Sequence, residues 1–252
     1  MKLGLEGKVA LVTGGARDVG GEIVRALAAE GATVAVNYRN SRAEAEALTQ
    51  EVAAAGGKAG AVMADVADYG AVRAMIDQVV ADFGRLDILV NNAGFVLRQR
   101  FVETTPEDWR RQIDVGLYGV IHCVHAAIPH LSAGQGGRII SLAGDSARVG
   151  EAGLAVTAAA RGGVLALTKS LAKELGRAAI TVNALALGLV ETSHSDAAWL
   201  DANRERIVRN YPLRRLGRAE DVAPMVAFLA SDAAAWITGQ VISISGGYST
   251  AG

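Results

Sequence analysis

Thr157 and Arg161 stand four residues apart in an apolar stretch, and one helical turn brings residues at that spacing onto the same face. A hydroxyl beside a cation is the usual way to build a proton donor, because the cation favours the ionised oxygen. These two residue types cannot complete it. A threonine hydroxyl ionises far above any phenol, and a guanidinium is effectively never deprotonated in a protein. The arginine can still present a planar fork of N–H donors to vicinal hydroxyls or to an anion. Asp145 and Ser146 lie just upstream, where they either line a cleft or serve as turn and helix-entry residues. His122 and His125 share a helix face at i, i+3, with His130 beyond them. Zinc would need a third ligand and an outer hydrogen-bonded shell, and neither is evident, so these histidines are expected at a helix–helix interface. His194 has no identifiable partner and is expected at the surface.

A second cluster lies near the N-terminus. A short apolar strand, 8–13, runs into a turn holding Gly14, Asp18 and Gly20, and then into a helix. Such a turn lets backbone approach a phosphate at a helix N-terminus. Asp18 acts in two directions. Aspartate tolerates left-handed dihedrals, so the turn can form, but a carboxylate repels phosphates in a cleft of low effective dielectric. Arg17 and Arg39 either supply positive charge to that cleft or are ordinary surface residues.

The elements that must position these residues alternate regularly. Strands are expected over 8–13, 33–39, 58–66, 85–94, 137–144, 179–188 and 239–247, with helices between them. One of these helices spans about 106–131, opened by Pro106, and another carries Thr157 and Arg161 to residue 175. Segment 189–213 is polar and irregular, and is expected as a helical flap over the site. Strand–helix alternation with right-handed crossovers gives an α/β fold: one Rossmann-like domain over 1–252, with a doubly wound parallel sheet of about seven strands. The 252 residues are 51% hydrophobic, enough for a core covering both sheet faces. A net charge of −1 gives no reason to expect nucleic acid or an anionic membrane as partner. The single Cys123 excludes an internal disulfide. The start runs straight into strand and turn, and no apolar run would cross a bilayer, so a cytoplasmic location is expected.

From Leu5 to Gly247 the chain resembles the short-chain dehydrogenases/reductases (SDRs), of the 3-oxoacyl-reductase-like kind. Gly14, Asp18 and Gly20 fall on their T-G-x-x-x-G-x-G pattern, with Asp18 at the middle glycine. Asn91-Asn92-Ala93-Gly94 is their NNAG motif, and the C-terminal segment 212–249 is similar throughout. The resemblance implies that Gly14, Arg17, Asp18, Gly20, Arg39, Asp65, Asn91, Gly94, Arg161 and Thr192 would contact any cofactor. On charge grounds that cofactor is NADP rather than NAD, weakly bound or not bound at all. It also implies a catalytic Asn-Ser-Tyr-Lys tetrad. At those four positions this chain has Gly116, Gly144, Thr157 and Arg161, a degenerate set with no phenol, serine hydroxyl or ammonium.

The sequence therefore points to a non-catalytic structural subunit, paired with an intact SDR chain in a hetero-oligomeric NAD(P)-dependent dehydrogenase that acts on acyl-thioesters. One alternative is an NADP-dependent carbonyl or alcohol oxidoreductase with an unorthodox site. Another is a non-redox enzyme or small-molecule binding protein that uses the cleft. Homo- or hetero-oligomerisation is implied by the resemblance, with the helices over 106–131 and 154–175, including Val164, and the C-terminal strand as the expected interface.

Overall fold

β1 (Val9–Val12) is apolar and buried in all four residues, as a strand covered on both faces must be. In the computed structural model, which describes residues 3–133, 136–193, 195 and 197–250, it lies near the middle of a seven-stranded sheet ordered β3-β2-β1-β4-β5-β6-β7. The other strands are β2 (Thr33–Tyr38), β3 (Lys58–Met63), β4 (Ile88–Asn91), β5 (Arg138–Gly144), β6 (Thr181–Leu187) and β7 (Val241–Ile244). Every pairing is parallel. Strand order reverses between β1 and β4, and the carboxyl ends of the strands flanking that point open a crevice.

The helices divide between two faces. α1 (Asp18–Ala29), α2 (Arg42–Ala54) and α9 (Ala219–Ala230) cover one, where Ile23, Leu27 and Val226 are fully buried. α3 (Tyr69–Phe83), α5 (Gly119–Ala133) and α7 (Ala155–Leu175) cover the other, with Met75, Cys123 and Val164. Complete burial of such a side chain contributes about 1.5–3 kcal/mol, and two continuous apolar layers account for a stable sheet between them. Burial also pushes the Cys123 thiol up to about 12, so it behaves as a small hydrophobe.

Two expectations change. Val164 is 1% exposed and packs in this domain's own core, so it is not an interface residue. Its position in the 3.6-residue repeat points it at the sheet. The helix expected over 106–131 is α4 (Pro106–Ile113), then a π-helical segment, Asp114–Tyr118, then α5. An extra residue per turn at Gly116 shifts the apolar face, a common sign of a site built into a helix. Pro106 does open α4, with Thr105 and Asp108 closing a capping box. Among its described residues the segment expected as a helical flap carries the helix α8 (Ala197–Val208), in which Leu200 is buried and lines the cleft, and His194 lies outside the described residues. Among the described residues no helix is long and apolar enough to cross a membrane.

Candidate functional site: one cleft with two differently built halves

A cleft of about 1110 Å³ opens at the carboxyl ends of the strands. It brings together Gly14, Arg17, Asp18, Gly20, Arg39, Asp65, Gly94, Gly116, Gly144, Asp145, Ser146, Thr157, Arg161 and Thr192, which are spread across the whole sequence. Asn91 does not line it. That side chain is buried between β4 and β5, where its Nδ2 donates to Ser141 Oγ (3.2 Å), and its neighbours Asn92 and Gly94 form the wall.

The half nearest α1 is made of backbone. Gly14 has φ +59°, a conformation that glycine adopts without strain. A Cβ on Gly20 would collide with the Gly14 carbonyl oxygen and stand 2.6 Å from Asn92 Nδ2, so only glycine fits. Asn92 braces the turn, donating to the carbonyls of Thr13 (3.0 Å) and Gly14 (2.9 Å). α1 begins without a side-chain cap, which leaves its first N–H groups facing the cleft.

Asp18 sits at φ +51°, in the left-handed region that aspartate tolerates. Its carboxylate is not loose beside the turn. One oxygen accepts from the Ser193 N–H (2.7 Å) and the other from the Ser193 hydroxyl (2.9 Å), so it ties the start of α1 to the flap. Thr192, next in the chain, is held by Ser195 Oγ, 3.0 Å from its nitrogen. Arg17 pairs with Glu44 (3.6 Å) and Arg39 with Asp65 (3.5 Å), in exposed contacts that other anions can replace at little cost.

The half around β5 and α7 is made of side chains, and they fit one another. Arg161 reaches back over Gly144, and a Cβ on Gly144 would collide with its Nη1. The cation therefore fills the space that a serine at 144 would need. It is half-buried, and loss of hydration pulls its pKa down. Thr157, 2% exposed, donates its hydroxyl to Gln112 Oε1 (2.5 Å), so its proton is already committed. Gly116 faces α7, and a Cβ there would meet Ala160 at 3.6 Å. Asp145 is buried and turned away, accepting from Ser243 Oγ (2.8 Å), which Arg148 also reaches (2.8 Å). Its second oxygen is buried and has no partner.

Several residues of this cleft had no recognisable spacing in the sequence. Gln112, Ser193, Tyr211 and Tyr248 come from four separate segments. Tyr211 Oη accepts from the Leu189 N–H (2.8 Å), its ring stacks on Tyr248 at 5.1 Å, and burial raises the phenol's pKa. The one available signal was Tyr248, inside the family-like segment 212–249. The histidines lie elsewhere. His122 Nδ1 is 3.0 Å from the Val66 carbonyl, His125 Nδ1 is 2.7 Å from the Tyr69 hydroxyl, and His130 is 3.8 Å from Asp77. Among the described residues no three His, Cys, Asp or Glu side chains are grouped as metal ligands.

A parallel sheet with this strand order, a glycine turn leading into α1 and a cleft across the switch point define a dinucleotide-fold protein. The chain belongs to the short-chain dehydrogenase/reductase family. Residues 14–249 match the family model described as enoyl-(acyl carrier protein) reductase. The 3-oxoacyl-[acyl-carrier-protein] reductase of Staphylococcus aureus (strain Mu50) is 44% identical over 240 residues, 95% of this chain and 97% of the relative. A short chain dehydrogenase from Burkholderia cenocepacia J2315, in complex with NADP, superposes with a TM-score of 0.90 at 39% identity, covering 97% of this chain and 98% of the other. A blue fluorescent protein from a metagenomic library, in complex with NADPH, gives 0.90 at 36% identity, over 98% of this chain and 99% of the other.

Proposed function

We propose that this chain is an NADP-binding short-chain dehydrogenase/reductase that does not perform the family's phenol-based proton transfer on its own. In this reading it serves as the structural subunit beside an intact homologue in an NADP-dependent dehydrogenase for acyl-thioesters. The observation that carries the reading is the placement of Arg161 over Gly144. Cation and glycine fit as a pair, since a side chain at 144 would have to displace the guanidinium. With Thr157 donating to Gln112, no hydroxyl at the expected position has a proton to offer a substrate.

The cleft suits a dinucleotide at its other end. The Gly14–Gly20 cradle leaves room for backbone alone, α1 presents uncapped N–H groups, and Arg17 and Arg39 are exposed where a 2′-phosphate could replace a carboxylate. Asp18 is the exception, since its bridge to Ser193 spans the groove and adds negative charge. Bound there, NADP would supply a hydride. This chain's own residues would hold its phosphates, orient it and close Thr192 and Ser193 over it. The two related structures that carry NADP or NADPH, and the reductase acting on 3-oxoacyl carrier protein, support the cofactor and the thioester class.

Co-expression with an intact homologue tests the subunit role. The expected result is co-purification, with the partner more active or more stable in the complex than alone. If the chains never associate, or if the partner is equally active and stable alone, that role is lost.

A second reading has one observation in its favour. Tyr211 keeps its own proton while accepting from Leu189, so it is a phenol within the same cleft. Activity that disappears in Tyr211→Phe would favour an oxidoreductase with an unorthodox acid.

A further inference from the structure

We propose that the cleft over Gly144 is a carboxylate-binding site, in which Arg161 supplies the cation, Ser146 a second donor, and the ligand is a monocarboxylate with a flat apolar body. The Arg161 guanidinium lies directly over Gly144, and its Nη2 is 3.9 Å from where a Cβ on Gly94 would stand. Among the described residues no carboxylate or carbonyl pairs with it, although a half-buried cation without a partner is costly. Ser146 is an independent second sign. It is 6% exposed, its Oγ lies 3.4 Å from the same Cβ position on Gly144, and its hydroxyl has no partner among the described residues. Two polar groups with nothing to bind thus converge on one point of the cleft.

The acidic residues nearby do not answer the charge. Asp145 is held by Ser243 and its free oxygen is shut off from solvent. Glu151 pairs with Arg98 (2.5 Å), and Asp18 is bound to Ser193. Arg111, stacked on Phe95 at 3.9 Å, adds a further positive charge to the wall. A planar fork with a hydroxyl beside it matches a carboxylate better than a spherical anion. Leu154, Phe95 and the stacked pair Tyr211 and Tyr248 give the rest of that wall an apolar and aromatic character, which sets the body of the ligand. The site needs neither the dinucleotide nor a partner subunit.

Calorimetry on the full chain, freed of dinucleotide and held at constant ionic strength, tests this with benzoate as probe and benzamide as its neutral twin. Benzoate should bind at least tenfold more tightly than benzamide. Arg161→Met should abolish the preference, Arg161→Lys should keep part of it, and Ser146→Ala should weaken benzoate severalfold. Equal binding of the two probes to the native chain would overturn the site, and that comparison needs no variant to fold. An unchanged preference in Arg161→Met would overturn it equally. So would inorganic phosphate or chloride displacing benzoate at matched concentration, which would show a nonselective anion site.

Discussion

The two halves of the cleft are built from different materials. Around α1 the contacts available to a ligand are backbone: a left-handed Gly14, a Gly20 with no room for a Cβ, and the open end of a helix. Around β5 and α7 they are side chains: Arg161 lies over Gly144, and Thr157 donates to Gln112. A backbone cradle persists as long as the fold does, because changing it disturbs the sheet. A side-chain constellation can be exchanged while the frame stands. Fold alone therefore speaks for nucleotide binding in this chain and says little about its chemistry.

The contrast is tested most severely at Gly20. Gly20→Val should displace the Gly14 carbonyl and the Asn92 bracket, at a cost of about 3 kcal/mol, and should abolish NADPH binding. Thermal melts and calorimetry read both. A variant that folds and binds normally would show that the turn is not a rigid cradle.

Gly144→Ser comes next. Alone it should push aside the flexible end of Arg161 and destabilise by about 1.5 kcal/mol at most, and Arg161→Lys should relieve most of that. Additive effects in the double mutant would mean that the two positions are not packed as a pair.

Asp18→Asn has a smaller effect. It removes the charge that spans the groove and should tighten NADPH binding about tenfold, or about 1.4 kcal/mol. Ser193→Ala should loosen the flap without that gain, because it leaves the carboxylate in place. Equal effects of the two variants would show that the bridge matters rather than the charge.

The smallest effect lies outside the cleft and serves as its control. Arg215 holds the Asp221 carboxyl down to about 2, and Asp221 also caps α9 through the Arg218 N–H. A depressed folded-state pKa contributes stability above the unfolded value of about 3.8, which is lost as the pH falls towards about 2. Because Arg215 is 49% and Asp221 32% exposed, solvent screening limits this to less than about 1 kcal/mol, measured as the native minus Asp221→Asn difference across pH 2–5. A difference that persists unchanged below that window would show that the ion pair is not its source.

Much of this was legible in the sequence because it depends on local pattern. Apolar strands of four to seven residues alternate with amphipathic helices, and this gave the sheet, its parallel sense and the position of the cleft. Gly116, Gly144, Thr157 and Arg161 could be placed by spacing alone, and all four line the cleft. What could not be read depends on the direction a side chain takes across the fold. Nothing near Asp18 indicates that its partner is Ser193, 175 residues away. Val164 lies in a helix with apolar residues on several faces, and only the sheet beneath it decides that it is core. The break at Gly116 was hidden because the apolar pattern continues through an inserted π-turn.

NADPH oxidation by the purified native chain is the most direct test. It should be run over a panel of 3-oxoacyl thioesters and simple ketones, with NADPH binding measured calorimetrically on the same preparation. The expected result is saturable binding with no turnover above the rate without enzyme. Turnover at about 1 s⁻¹ or faster, within the ordinary range of enzymes, would contradict the claim that the side-chain half has abandoned the family's chemistry while the backbone half remains.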